Sequence, residues 1–176
     1  MKTITKILIA VAVLMAIPLV MALFISKDYS ITREVVINKP KQDVFNYIKL
    51  LKNQDDYNIW VQMDPNMKKD FRGTDGTAGF VYAWDGNDKA GAGEQEIKSI
   101  VDGERMDVEL RFKRPFESTG HAPFTTEAVN ENQTKVTWNM NGVSGYPMNF
   151  MNLFMDGMLG KDMDASLGML KANLEK

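Results

Sequence analysis

Cysteine is absent from the 176-residue chain and histidine occurs once, at His121. Without thiols there is no disulfide, no thiolate nucleophile and no zinc–thiolate site. No Ser–His–Asp arrangement and no metal-ligand spacing is present, so neither a metal nor any other cofactor is expected. An excess of charge is missing too: 21 basic residues face 23 acidic ones. Beyond residue 26 the balance is 19 to 23, a net charge of −4. A mildly acidic domain with dispersed lysines lacks the concentrated basic surface that phosphate backbones require, which argues against nucleic acid as a partner. Two glycine-rich stretches, "GTDGTAG" from Gly73 and "GNDKAGAG" from Gly86, lack the Lys-Ser/Thr of a phosphate loop and read as turns.

What the chain does have is one long apolar run. Ile7 to Ile25, "ILIAVAVLMAIPLVMALFI", is 19 residues without a charge. At 1.5 Å per residue it reaches roughly 28 Å, about the thickness of a hydrocarbon layer. Lys2 and Lys6 precede it as a cytoplasmic flank would. A cleaved signal peptide is the competing reading, with "VMA" at Val20–Ala22 as its cleavage site. The run is longer than a signal core and stays apolar past that site, which favours a retained anchor. The expected organisation is an anchor over 1–26 and a domain over 27–176. Long following domains translocate largely regardless of charge, so a single-pass protein with its domain on the non-cytoplasmic side is expected.

The domain begins with "DYSITREVVINKP", whose alternation predicts a strand over Tyr29 to Ile37, with Asn38 as a helix cap and Pro40 in the first turn. Val44, Phe45, Ile48 and Leu51 then recur at helical spacing. From "TAGFVYAW" onward the period becomes two, and about six antiparallel strands are expected. Phe80, Tyr82 and Trp84 share one face, as do Met106, Val108, Leu110 and Phe112. "HAPFTTEAV" continues with Phe124, and "KVTWNMNGV" turns Trp138 and Met140 to the same interior. The last 30 residues read as helix, with Met163, Leu167, Leu170 and Leu174 in register.

That helix raises a question of composition. "GYPMNFMNLFMDGMLGKDM", Gly145 to Met163, holds five of the chain's 13 methionines. Met148, Met151, Met155 and Met158 fall at steps of three and four, on one helical face. Such a stripe is ordinarily core; methionine, being soft and unbranched, also suits the wall of a cavity for a variable apolar guest.

Five stretches in order resemble the START-like, Bet v 1-like superfamily, in its bacterial polyketide cyclase/dehydrase and lipid transport branch. They are "REVVINKPKQDVFNYI", "NQDDYNIW", "AGFVYAWDGNDKAGAGEQEI", "NQTKVTW" and "SLGMLKANLE", together spanning nearly all of the soluble part. The resemblance implies an α+β helix-grip fold: a curved antiparallel sheet around a long C-terminal helix with an apolar cavity between them. On that fold the expected lining comprises Phe80, Tyr82, Trp84, Val108, Leu110 and Phe112 from the earlier strands. Phe124, Trp138 and Met140 come from the later ones, and Met151, Phe154, Met155 and Met158 from the helix.

No catalytic residue is expected. His121 falls on a solvated strand face, and Glu94 and Glu96 form a carboxylate pair read as exposed beside Lys98. The expected function is a monomeric, membrane-tethered binding or carrier domain for a hydrophobic small molecule or lipid, in the bacterial inner membrane. A cyclase- or aromatase-like enzyme and a structural module without ligand are the alternatives, since fold does not choose between them.

Overall fold

The computed structural model describes residues Lys2–Lys176. Helix α1 (Lys2–Ala22) projects from the rest with its large apolar side chains exposed, touching the domain at its end where Ala22 is buried, and is long and apolar enough to cross a membrane. Five residues later the domain opens with β1 (Asp28–Ile37), then α2 (Lys41–Ile48), a 3-10 turn (Leu51–Asn53), α3 (Gln54–Tyr57) and α4 (Ile59–Gln62). Seven strands follow: β2 (Lys68–Arg72), β3 (Val81–Asp85), β4 (Ala92–Val101), β5 (Arg105–Arg114), β6 (Ser118–His121), β7 (Phe124–Asn130) and β8 (Gln133–Val143). A 3-10 turn (Met148–Met151) leads into α5 (Asn152–Leu174).

All eight strands form one antiparallel sheet in the order β1-β8-β6-β5-β4-β3-β2, with β7 also paired to β5 and β8. The sheet bends where β4 and β5 slip register, at Ala92/Gly93 and Ile97/Ser99, as bulges do. The fold is the α+β helix-grip that the resemblance implied, with the sheet covered by the closing helix. Two features of the strands differ from expectation. Lys68–Arg72 pairs with β3 although its residues carry no clear alternation, and "HAPFTTEAV" is broken at Ala122–Pro123 into β6 and β7.

The inner face of the sheet buries Phe80, Tyr82, Ile97, Met106, Val108, Phe124, Val136 and Trp138. Helix α2 adds Val44, Phe45 and Ile48, all fully buried as their spacing required, and Leu51 follows them. Asn38 caps nothing. Helix α2 starts at Lys41 without a side-chain cap, and the Asn38 side chain accepts from Gln133 Nε2 at 2.7 Å instead. Its backbone N–H donates to Glu175 at 2.6 Å, which holds the end of α5 against the start of α2.

Helix α5 closes the grip with Met163, Leu167 and Leu170. Buried Ser166 ties it to α4, accepting from the Ile59 N–H at 3.0 Å and donating to Asp162 O at 2.9 Å. On the β1 side Arg33 reaches Asp156 at 2.9 Å and Asp164 at 3.0 Å. Gly160 makes room for it: a Cβ there would lie 1.9 Å from the guanidinium.

Gly93 is a tighter case. A Cβ would meet the Arg111 carbonyl at 2.6 Å and the Trp84 ring at 2.8 Å, and the backbone oxygen cannot step aside. Gly93→Ala is expected to lower stability by about 1–3 kcal/mol, the usual range for overpacking. Urea midpoints check this, and an unchanged midpoint would show that β4 and β5 can part there without loss.

A candidate ligand cavity between sheet and helix

The bend of the sheet keeps α5 off its inner face near β3–β6, and the gap is a cavity of about 420 Å³. That is within the range of small-molecule sites. Eight of the thirteen expected residues border it: Tyr82, Trp84, Leu110, Phe112, Phe124, Trp138, Met140 and Met155. Aromatic pairs stiffen the wall, with Trp138 stacked on Phe124 at 4.8 Å and edge-on to Trp60 at 5.9 Å. Trp84 meets Phe112 edge-on at 5.9 Å.

The other five lie elsewhere. Phe80 and Val108 point inward but belong to the close-packed core; Phe80 stacks on Phe71, and Val108 sits opposite Ile97. Met151, Phe154 and Met158 are exposed. Helical spacing identifies residues that share a face and not which neighbour that face meets. Met155 and Leu159 turn to the cavity, while Met151, Phe154 and Met158 occupy a sector of roughly 60° on the flank away from Arg33.

Spacing also missed a polar patch in the lining. Gln54, Asn58 and Gln95 are buried, and Gln54 Oε1 accepts from Asn58 at 3.1 Å and from Gln95 at 2.9 Å. Gln95 shares the inward parity of Gly93 and Ile97, so its burial was readable from the alternation of β4. Gln54 opens the short α3 and Asn58 joins it to α4, where no period operates. The rim holds Lys89 from the β3–β4 turn, Arg114 from the end of β5 and Phe116 from the β5–β6 turn.

Ionisation in this region favours neutral groups. Burial pushes the Tyr29 hydroxyl up. Burial and then the hydrogen bond to Asp55, at 2.7 Å, push Tyr82 well above its ordinary range. The lining contains no carboxylate and no imidazole among the described residues. His121 is exposed on β6.

Glu94 and Glu96 take the outer face, opposite in parity to Gln95. Arg111 donates to Glu94 at 2.9 Å and to Glu96 at 2.7 Å, and also pairs with Glu109. Burial pushes the Glu94 carboxyl up, but hydrogen bonds from Arg72 and Arg111 outweigh it and hold the pKa below the usual carboxylate range. Glu96 is lowered chiefly by Arg111. A lowered carboxylate pKa stabilises the fold above the ordinary value and ceases to do so as pH falls through the lowered one. Arg111→Met is therefore expected to lose about 1–2 kcal/mol at pH 7, with the difference from wild type shrinking below about pH 4. Solvent screening keeps the figure small, since the Arg111 side chain is 31% exposed. Urea titrations at the two pH values check it; a pH-independent difference would assign the loss to packing.

Comparison with known proteins agrees with this architecture. Norcoclaurine synthase from Thalictrum flavum, solved with dopamine and hydroxybenzaldehyde, superposes with a TM-score of 0.64 at 7% identity, over 82% of this chain and 85% of that one. The di-domain ARO/CYC BexL of the BE-7585A biosynthetic pathway gives 0.60 at 17% identity, over 85% of this chain and 51% of its own. The Aha1 dimer from Colwellia psychrerythraea gives 0.58 at 16%, over 83% and 96%. Identities this low establish the fold alone. No curated protein matches the sequence significantly. The family described as polyketide cyclase / dehydrase and lipid transport matches residues 28–175, and the chain belongs to that family.

Proposed function

We propose that the chain is a membrane-tethered binding or carrier domain for a hydrophobic small molecule or lipid. The observation that carries this reading is an apolar cavity of about 420 Å³ whose lining offers neutral amides and phenols but no carboxylate or imidazole among the described residues. Such a lining orients a guest, and among the described residues its charged groups, Lys89 and Arg114, stand at the rim. Lys89 at the rim suits an anionic head group, Arg114 beside it being paired with Asp85, and the aromatic interior suits an apolar body. Residues 1–26 serve as the anchor and 27–176 as a monomeric domain. Lys2 and Lys6 favour a cytoplasmic N-terminus, with the domain on the far side of a bacterial inner membrane.

Native mass spectrometry of protein extracted in mild detergent tests the reading. A lipid-sized adduct is expected on the wild type, and Met155→Trp, which fills the cavity from α5, should remove it. Absence of any adduct, together with no displacement of a naphthalene-type probe, would sink the carrier reading. The family and the ARO/CYC similarity keep a second reading in view, a cyclase- or aromatase-type enzyme acting on the guest. Mass analysis of the ligand after incubation separates the two, since a carrier returns it unaltered.

A further inference from the structure

The C-terminal segment, from Tyr146 through the 3-10 turn and α5, divides sharply by exposure. Six large apolar side chains are exposed within Tyr146–Met158: Tyr146, Met148, Met151, Leu153, Phe154 and Met158. From Leu159 onward the helix exposes no large apolar side chain among the described residues. The exposed part is also the part attached to α1. Asn149 Nδ2 donates to the carbonyls of Ala22 at 2.7 Å and Ile25 at 2.8 Å. Asn152 Nδ2 donates to Ser26 O at 3.0 Å and Lys27 O at 3.1 Å. These bonds satisfy carbonyls at and just beyond the end of α1 that have no partner within the helix. They pin the start of α5 to the point where the apolar run ends.

We infer that this apolar apron rests in the boundary between lipid head groups and acyl chains, and that the cavity is loaded from the bilayer directly. The inference rests on α1 being the membrane anchor proposed above. Continuity is the argument. If Ile7–Ile25 occupies the hydrocarbon layer, Asn149 and Asn152 lie at its surface. The side chains beside them then meet lipid within the depth of about 5–10 Å that interfacial helices reach. Exposed apolar side chains gathered over the 3-10 turn and the first turns of α5 mark an interaction site. The same two turns carry Met155 and Leu159 on the cavity wall, and exposed Phe116 stands on the opposite rim. A lipid can therefore pass from bilayer to cavity along apolar surface.

The absence of cysteine allows single spin labels on the full chain in phosphatidylcholine–phosphatidylglycerol nanodiscs. Labels go at Leu14→Cys in α1, Phe154→Cys and Met158→Cys in the apron, and Glu131→Cys on the β7–β8 turn as an exposed reference. The ratio of collisions with oxygen to collisions with a polar nickel chelate should be several-fold higher at 14, 154 and 158 than at 131. Lipid-like values at 14 with water-like values at 154 and 158 would overturn the inference and leave the anchor standing. Water-like values at 14 would remove the anchor reading and the inference with it. Shielding of 154 and 158 from both reagents, with dipolar coupling between copies, would make the apron a dimer face and overturn the proposal as well. Loading is the second readout. Phe154→Glu with Met158→Glu should slow uptake of a pyrene-labelled fatty acid from the nanodisc several-fold, and an unchanged rate would refute bilayer loading.

Discussion

Deleting Gly145–Lys176 is expected to abolish cooperative unfolding altogether. The deletion removes Met163, Leu167 and Leu170, each at most 2% exposed, and full burial of such side chains is worth about 1.5–3 kcal/mol apiece. Those three alone approach the 5–15 kcal/mol that a typical domain has in total. Their loss also uncovers the face of β1 on which α5 lies, and leaves Ile59 N–H without Ser166 and Arg33 without its two aspartates. The remaining sheet would have an apolar face left wet except where α2 covers it. Near-ultraviolet circular dichroism and thermal melts of the intact and shortened chains, in the same detergent, check this. A sigmoidal melt of the shortened chain would mean that α2 and the sheet hold a core of their own.

The second large effect is expected at Trp138. It is 2% exposed, stacked on Phe124 and flanked by Trp60, and its truncation to alanine should lower stability by about 3–5 kcal/mol. Replacement by phenylalanine should be far milder. The indole Nε1 is buried without a hydrogen-bond partner, and an unmet buried donor is itself worth about 1–3 kcal/mol of destabilisation. Removing it offsets part of the lost ring area. Because Trp138 borders the cavity, the alanine variant also enlarges the binding space, and a bulky apolar probe should recover part of its stability. Equal losses for Trp138→Ala and Trp138→Phe would show that the nitrogen, and not the ring, is what the site needs.

These expectations lean on residues whose role the chain declares with unequal clarity. The strands were legible wherever one face is wet. Along β5, Met106, Val108 and Leu110 alternate with Asp107, Glu109 and Arg111, and this parity alone assigns the inward side. It also separates Gln95 from its neighbours Glu94 and Glu96. Lys68–Arg72 was not legible, because an edge strand with mostly exposed side chains has no apolar period to display. The cavity was legible only from the strand side. Whether an inward residue meets empty space or another side chain depends on how far α5 stands from the sheet, which no local pattern records. Phe80 and Tyr82 are equally buried neighbours in parity, yet only Tyr82 reaches the void. The methionine spacing was real but referred to the helix axis and not to the sheet. The stripe therefore splits, Met155 going in and Met151 and Met158 going out.

The five-residue link between α1 and β1 has a consequence for how such a protein finds its guest. Fully extended, five residues span at most about 18 Å, and the asparagine bonds to their backbone shorten that reach further. With α1 in a bilayer, the cavity samples a two-dimensional pool, and what governs occupancy is the mole fraction of ligand in that leaflet instead of its concentration in water. Tethering of this kind raises effective concentration without adding a contact, so a guest too insoluble to be measured free could still saturate the site. It also sets a limit on delivery: a domain on so short a lead cannot carry cargo to a distant membrane, and any acceptor must come to the same surface to collect it.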